Sequence, residues 1–225
     1  MREREGERES LKRSLKNFLS CIRFWVLKNQ REKNLAKILY NVIKKNKKIT
    51  ICDYGSGFNP DIIKLLAKKK NFKKIHCFDF YNDQQLSFLN KNKLNIKFKN
   101  IKDLKKVNTK YDVTIVIDVL HHIGVKNKII KEILINLKKI SKILIIKDHY
   151  EHSKFDRLLL RIMDFIGNYK DNVNIPKQYF TKESFKETLS SSGFKNVKII
   201  SNLKIYSKKF LFFSKRSLHF LCIIK

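Results

Sequence analysis

From residue 49 onward, short apolar runs alternate with amphipathic stretches, and this alternation limits the fold more than any other feature of the chain. Five runs read as strands, over residues 49–53, 73–79, 95–99, 112–118 and 142–147. The helical stretches between them lie near residues 60–70, 83–90 and 126–140. Apolar runs without strict polar alternation suit a parallel sheet that is buried on both faces. The pattern therefore predicts an α/β protein with a doubly wound sheet.

The regular alternation of predicted strands and helices ends after residue 148. An amphipathic lid helix, which would help enclose the substrate, is predicted over 154–168, and Thr181 with Glu183 begins another helix that Gly193 ends. Two further strands are predicted over residues 194–200 and 217–225. The second can return antiparallel to the first without a crossover helix. An open parallel sheet would then finish in a C-terminal antiparallel hairpin.

Two apolar stripes at helical spacing precede the alternating region. The first stripe, within residues 9–29, contains Leu11, Leu15, Phe18, Leu19, Ile22, Trp25 and Val26. The second contains Leu35, Ile38, Leu39, Val42 and Ile43. We predict an N-terminal helical cap over residues 1–45 that packs as a lid on a main domain of residues 46–225. A basic amphipathic helix on a membrane surface is the alternative.

The net charge of +31 raises the question of a nucleic-acid partner. Only nine of the 51 basic residues are arginine, the side chain whose planar fork such proteins exploit, and lysine is spread over every element. We interpret the charge as the bias of an A+T-rich genome, with nucleic acid as a less favoured partner. The sequence does not indicate an oligomeric state.

The chain lacks the roughly 20 uncharged apolar residues that a membrane span needs. Its start, "MREREGERES", lacks the apolar core of a signal peptide. We therefore expect a cytoplasmic protein without a transmembrane segment, with peripheral membrane contact as an open alternative. Four cysteines without C-x-x-C spacing, Cys21, Cys52, Cys77 and Cys222, support neither a zinc site nor a disulfide framework, and we expect no metal.

Two of the six glycines lie at one corner between a strand and a helix, in "ITICDYGSGFNPDIIKLLAKK". Gly55 and Gly57 let the backbone approach a ligand closely, while Asn59 can cap the next helix with Pro60 at its first position. A nicotinamide-binding fingerprint needs a third glycine at position 60, so the proline argues against NAD. The acid Asp79 ends the next strand, 22 residues after Gly57, where it can accept the hydroxyls of a ribose.

The fourth strand, in "YDVTIVIDVLHHIG", ends with Asp118 and then His121-His122. With "DYGSG" and the acid of "CFDF", this motif resembles those of the class I S-adenosylmethionine-dependent methyltransferases. The resemblance covers residues 45 to 225, and "IIKDHYEHSKFDRLLLRIMDFIGN" resembles a bacterial subgroup of unknown substrate. It implies a Rossmann-like methyltransferase fold with a seven-stranded, mostly parallel sheet, and S-adenosylmethionine as the cofactor of an enzyme.

The resemblance also implies roles for individual residues. Asp53 would orient the cofactor's amino-acid end above Gly55, Ser56 and Gly57. Asp79 would hold the ribose, and the backbone of Asp118 would face the amino group. The adenine would be flanked by Phe80 and Ile101 and faced by Asn100. This sequence departs from the family pattern in two places, because Asn59 replaces a third glycine and Asn100 replaces an aspartate, although an amide oxygen can still accept a bond from the adenine amine.

Histidines after the fourth and fifth strands are candidates for the base that takes the acceptor's proton, namely His121, His122 and His149. Asp148, Arg161 and Tyr179 are candidates for substrate binding. Each histidine could instead be a hydrogen-bonded scaffold residue. The function predicted is in-line methyl transfer to a small-molecule or lipid-like acceptor. An RNA or protein methyltransferase that uses the lysine-rich surface, or a non-catalytic cofactor-binding scaffold, is the alternative.

Overall fold

A computed structural model describes residues 14, 17, 30–44, 48–69, 72–91, 96–106, 109–125, 128–168, 173–206 and 215–225. Apart from residues 14 and 17, the helix predicted over residues 9–29 lies outside the described residues, as does Cys21.

The described chain forms one seven-stranded sheet in the order β3-β2-β1-β4-β5-β7-β6. Its strands are β1 Thr50–Tyr54, β2 Lys74–Asp79, β3 Ile96–Asn100, β4 Tyr111–Ile117, β5 Ser141–His149, β6 Val197–Ser201 and β7 His219–Ile224. Strands β1 to β5 pair in parallel, and β7 pairs antiparallel with both β5 and β6. The predicted fold class is confirmed, including the antiparallel hairpin.

The helices are α1 Arg31–Ile43, α2 Asp61–Lys69, α3 Asp83–Asn90, α4 Leu120–Ile123, α5 Lys128–Lys139, α6 Lys154–Asn168 and α7 Lys182–Ser191. Short 3-10 turns cover Ile101–Lys106 and Arg216–Leu218. The bounds of α3 and α6 are those predicted from the sequence. None of the helices in the described part of the chain is both long and apolar enough to cross a bilayer.

The predicted start of α7 is confirmed, and that of α2 differs in detail. At α7 the Thr181 side chain accepts a hydrogen bond from the Ser184 backbone, and Ser184 completes a capping box. At α2 the Pro60 carbonyl accepts the first helical bond from Lys64, which places proline just before the helix. The Asn59 side chain bonds the side chains of Asp61 and Lys64 instead of capping the backbone.

Helices cover both faces of the sheet. On one face α1 and α2 pack through residues such as Leu35, Leu39 and Leu66 against β-strand side chains that include Ile51. On the other face α5 and α7 pack on the alternate side chains of the same strands. The second predicted stripe is confirmed because Leu35, Leu39 and Ile43 are buried. Helix α1, which lies within the predicted cap, shares this core with the strands. The cap domain over residues 1–45 stays a prediction.

Candidate active site

The bend after β1 uses its two glycines for different purposes. Both have positive φ, +73° at Gly55 and +66° at Gly57, a conformation that other L-residues rarely adopt. A Cβ at Gly55 would lie 2.4 Å from Val119, so this glycine allows the end of β4 to pack on the bend. A Cβ at Gly57 would meet nothing within 4 Å. Gly57 therefore faces open space at the carboxyl edge of the sheet.

Asp79 lies on the same side of the sheet as this bend. Its carboxylate accepts hydrogen bonds from the backbone N–H of Gly57 and of Phe80, each at 2.7 Å. Each oxygen keeps a lone pair for a further donor. The two features that the sequence predicts to share a ligand are thus in contact.

Tyr81, which follows the second strand, holds the bend in a role that was not predicted from the sequence. Its hydroxyl donates to the Gly57 carbonyl at 2.6 Å and lies 2.7 Å from the Ser56 hydroxyl, which donates in turn. The ring is buried against the core. The only signal in the sequence is its position two residues after Asp79.

The three residues predicted around adenine lie at the ends of β2 and β3. Phe80 follows Asp79 and is 74% exposed, while Ile101 is half-buried. Asn100 pairs with Asp79 in the strand register. Its amide donates to the Tyr81 carbonyl at 2.6 Å and accepts from the Lys102 N–H at 3.0 Å. The amide oxygen retains one lone pair for the predicted contact.

Asp53 is buried beneath this edge. Burial, and then the negative charge of Asp79, raise the pKa of its carboxyl to about 8. The group is consequently protonated at neutral pH until a cation approaches it.

Asp118 joins three elements through its side chain. It forms ion pairs with Arg31 of α1 and Lys147 of β5, and it lies 3.1 Å from His149 Nε2. Burial opposes ionisation, but Lys147 and Arg31 hold the pKa of Asp118 well below its ordinary value. Its φ is +54°, a backbone conformation that costs energy in a residue other than glycine. Only the backbone of Asp118 had a predicted role, and neither cationic partner of its side chain was predicted.

His121 is fully buried between two carboxylates. Its Nδ1 lies 2.6 Å from Asp148 Oδ1, and its Nε2 lies 3.4 Å from Asp164 Oδ2. Burial alone would lower the pKa of His121, but the two acids raise it to about 10. The Tyr179 hydroxyl also donates to Asp164, at 2.5 Å. At neutral pH His121 is therefore an imidazolium that holds the two carboxylates.

His122 has a different environment, although its ring centroid is only 4.1 Å from that of His121. It is half-buried, and burial and the neighbouring positive charge of His121 lower its pKa. The Nδ1–H donates to the Asn174 carbonyl at 3.0 Å. This bond selects the neutral tautomer in which Nε2 carries the free lone pair.

His149 is held inside the cluster by both ring nitrogens. Burial and Lys147 lower its pKa, so the ring is neutral. Nε2–H donates to Asp118, and Nδ1 lies 3.1 Å from His219 Nδ1, which donates to it. The remaining substrate-binding candidate, Arg161, is exposed on α6, and its positive charge acts on Tyr179, whose hydroxyl bonds Asp164.

His121, His149 and Asp164 bring one potential metal-ligand atom each within 4.8 Å of one another. No metal was expected from the sequence, and the three residues are too far apart in the chain for a local pattern to link them. His121 and Asp164 form an ion pair, and His149 uses both ring nitrogens internally. We interpret the group as a charge-paired polar cluster.

The fold and the bend define a Rossmann-like methyltransferase. The sequence model of the methyltransferase-domain family matches residues 26–199, most of the chain, which therefore belongs to this family. Assignment to the class I S-adenosylmethionine-dependent superfamily is confirmed, and with it the enzyme class and cofactor predicted from the sequence. No curated protein matches the chain significantly.

Several solved structures resemble the chain at low sequence identity, which shows the shared fold. A plantazolicin methyltransferase in complex with SAH has 16% identity and a TM-score of 0.60, over 95% of this chain and 90% of that one. Magnesium protoporphyrin IX methyltransferase from Synechocystis PCC 6803 with bound SAH has 15% identity and a TM-score of 0.53, over 87% and 84%. A cyclopropane-fatty-acyl-phospholipid synthase-like protein from Lactobacillus casei has 11% identity and a TM-score of 0.57, over 87% and 91%.

Proposed function

We propose that this protein transfers the methyl group of S-adenosylmethionine to a small-molecule or lipid-like acceptor at the carboxyl edge of its sheet. The observation that carries the proposal is the bond from the Gly57 N–H to Asp79, beside the open space at Gly57. Val119 packs on the same bend and precedes the histidine pair, so the acceptor-facing residues adjoin the cofactor-facing ones.

The residues present fit the cofactor. The open side of Gly57 leaves room for its methionine end, and the spare lone pairs of Asp79 suit the ribose hydroxyls. Asp53 can pair with the ammonium group, Gly55 and Ser56 line the bend, and the Asp118 backbone stands at the neighbouring strand end. Phe80, Asn100 and Ile101 are grouped on the adenine side. When bound, the cofactor supplies an electrophilic methyl group on sulfur.

His122 is the residue that we assign as the base. Its neutral ring and its fixed Nδ1–H leave Nε2 free to take a proton from an acceptor hydroxyl or ammonium. His121 is already protonated, and both nitrogens of His149 are occupied. We assign these two as positioning residues that hold Asp148, Asp164 and Asp118.

Asp164 and Tyr179 complete the acceptor side of the site. The Tyr179 hydroxyl bonds to Asp164, and its ring centroid lies 5.4 Å from that of His121. The buried, unpaired oxygen of Asp148 and the pair formed by Asp164 and Tyr179 provide polar groups that can orient a substrate beside the base. Arg161 is exposed on the same helix, its charge acts on Tyr179, and it stays a predicted substrate-binding residue.

The direct test is incubation of the purified protein with methyl-labelled S-adenosylmethionine and cell extract, followed by separation into small molecules, lipid, RNA and protein. We expect the label in the small-molecule or lipid fraction. Label in RNA or protein would select the alternative acceptor classes. Cofactor binding without label transfer to any fraction would favour a non-catalytic scaffold.

The assignment of the base is tested by His122→Gln. We expect turnover to fall about 10²-fold to 10⁴-fold, the scale of general-base catalysis, while calorimetric affinity for S-adenosylmethionine is kept. His152→Gln is the matched control, because His152 is an exposed histidine that also bonds a backbone carbonyl, that of Ser217. Equal turnover in the two variants would exclude His122 as the base.

A further inference from the structure

Helix α6 exposes a row of large apolar side chains. Phe155, Leu158, Ile162 and Phe165 are 58%, 53%, 40% and 48% exposed, at spacings of three, four and three residues. This spacing places them on one side of the helix. The opposite side is buried and includes Leu159, Leu160, Met163 and Ile166. The helix therefore has one apolar face for the core and a second one turned outward.

The charged residues of α6 are sorted by sign between these two sides. Lys154 and Arg161 are exposed and Arg157 is half-buried beside the outward row. Both acids of the helix, all of whose residues are described, are buried, Asp156 in an ion pair with Lys215 and Asp164 in the site. The outward surface thus combines apolar and cationic side chains.

Such a surface matches the interface of an anionic bilayer. Apolar side chains enter the boundary between headgroups and acyl chains, while neighbouring lysine and arginine side chains bind the acidic headgroups. Because both acids of α6 are buried in internal contacts, neither carboxylate opposes the approach of an anionic surface. We propose that the outward face of α6 docks on the surface of an anionic membrane.

The placement of α6 connects this surface to the site. Asp164 on its inner side bonds Tyr179 and pairs with His121, and Arg157 anchors the first turns through two bonds to Glu151, of 2.8 and 2.6 Å. A membrane-docked α6 therefore brings the acceptor side of the site close to the lipid. This second step, a membrane-borne acceptor, depends on the proposed function, whereas the docking itself does not.

Sedimentation of the full chain with phosphatidylglycerol-containing vesicles and with pure phosphatidylcholine vesicles tests the docking. We expect binding to the anionic vesicles, weakened at least tenfold in the double variant Leu158→Ser/Ile162→Ser. Ile129→Ser, at an exposed isoleucine of α5, is the control that keeps binding. Arg161→Gln should weaken binding more than Lys186→Gln, which removes an exposed charge from α7. Equal binding by the serine double variant and its control would overturn the proposal.

A second measurement does not require the serine variant to fold. In a Cys21→Ser background, Ile162→Cys carries a polarity-sensitive fluorophore, and Lys186→Cys carries the same probe as a control. We expect a blue shift at position 162 alone when anionic vesicles are added. A probe already shielded without vesicles, or a shift that follows protein concentration, would mean that another segment or a second copy covers α6 and would overturn the proposal. Calorimetric binding of S-adenosylmethionine by the same variants separates failed docking from a failed cofactor site.

Discussion

Gly57 and Gly193 both have positive φ and open space where a Cβ would stand, but only Gly57 lies at the sheet edge. We expect Gly57→Val to abolish measurable binding of S-adenosylmethionine, because the side chain would occupy the position of the ligand. Gly193→Val imposes similar backbone strain at the end of α7 and should keep the affinity. Calorimetry on both variants makes the comparison, and unchanged affinity in Gly57→Val would refute the role of this glycine.

The carboxylate of Asp79 carries the next prediction. Asp79→Ala should weaken cofactor binding by about 1–3 kcal/mol, the scale for hydrogen bonds to a charged group. Asp83→Ala removes an exposed acid from the first turn of α3 and should leave binding unchanged. A loss of less than a few tenths of a kcal/mol for Asp79→Ala would count against the ribose contact.

Asp53 makes cofactor affinity depend on pH. Its pKa of about 8 means that the free protein carries a proton there at pH 7, and ionisation is needed to pair with an ammonium group. Affinity should therefore rise between about pH 6 and pH 7.5, by up to tenfold per unit, and Asp53→Asn should remove this slope.

The same group affects stability with the opposite sign. The folded pKa of Asp53 lies above the ordinary value of about 4, so the folded state holds the extra proton between these values. The free energy of unfolding should fall as the pH rises through that range. Urea denaturation at several pH values measures this. For cofactor binding, an affinity of the unsubstituted protein that does not change with pH would contradict the proposed pairing of Asp53 with the ammonium group.

At the site, single-sequence reasoning works for residues whose roles follow from neighbours in the chain. Gly55, Gly57 and Asp79 stand at strand ends, and parallel strands bring such ends to one edge. Arg31 could not be foreseen because its partner Asp118 is 87 residues away and no local pattern links them. The difference in protonation between His121 and His122 likewise depends on Asp148 and Asp164, which come from other elements.

Among the elements, α1 is the one whose attachment can be tested alone. Arg31 pairs with Asp118, and the Asn34 amide donates to the Ile205 carbonyl at 3.1 Å. Arg31→Gln should lower the free energy of unfolding by about 1–3 kcal/mol, since Asp118 would lose one charged hydrogen bond but keep Lys147. Urea denaturation followed by circular dichroism measures the change.

The exposed pair of Lys142 with Asp112 supplies the control for this prediction. Lys142→Gln should change the free energy of unfolding by less than about 1 kcal/mol, because water screens an exposed pair. If both substitutions cost the same, the Arg31 pair would not be what fixes α1 on the sheet.

Strands and helices were predictable because each carries its own apolar period. The bounds of α6 and α3 were predicted without error, since a polar residue or cap marks each end. The cap of α7 was predicted correctly as Thr181, whereas the return bond from Ser184 was not predicted, because only the fold shows which side chain turns back to the cap.

For the whole molecule, the charge of +31 predicts attraction to polyanions without selectivity. Binding of single-stranded RNA should fall steeply between about 50 and 200 mM salt and should not depend on sequence. Filter binding at several salt concentrations measures this. Tight binding that persists at high salt would show that the lysine-rich surface is an evolved RNA site.

The position of β7 has a consequence for the order in which the molecule can assemble. Every residue of β7 is buried, and β7 lies between β5 and β6, which in the described sheet have no ladder with each other. Strand β6 thus precedes β7 in the chain but is attached to the described sheet only through it, so β6 can join after β7 or together with it as a hairpin. Until residues 219–224 dock, one edge of β5 is unpaired and open to any extended segment. Docking of β7 closes this edge and so protects the incomplete sheet from mispairing.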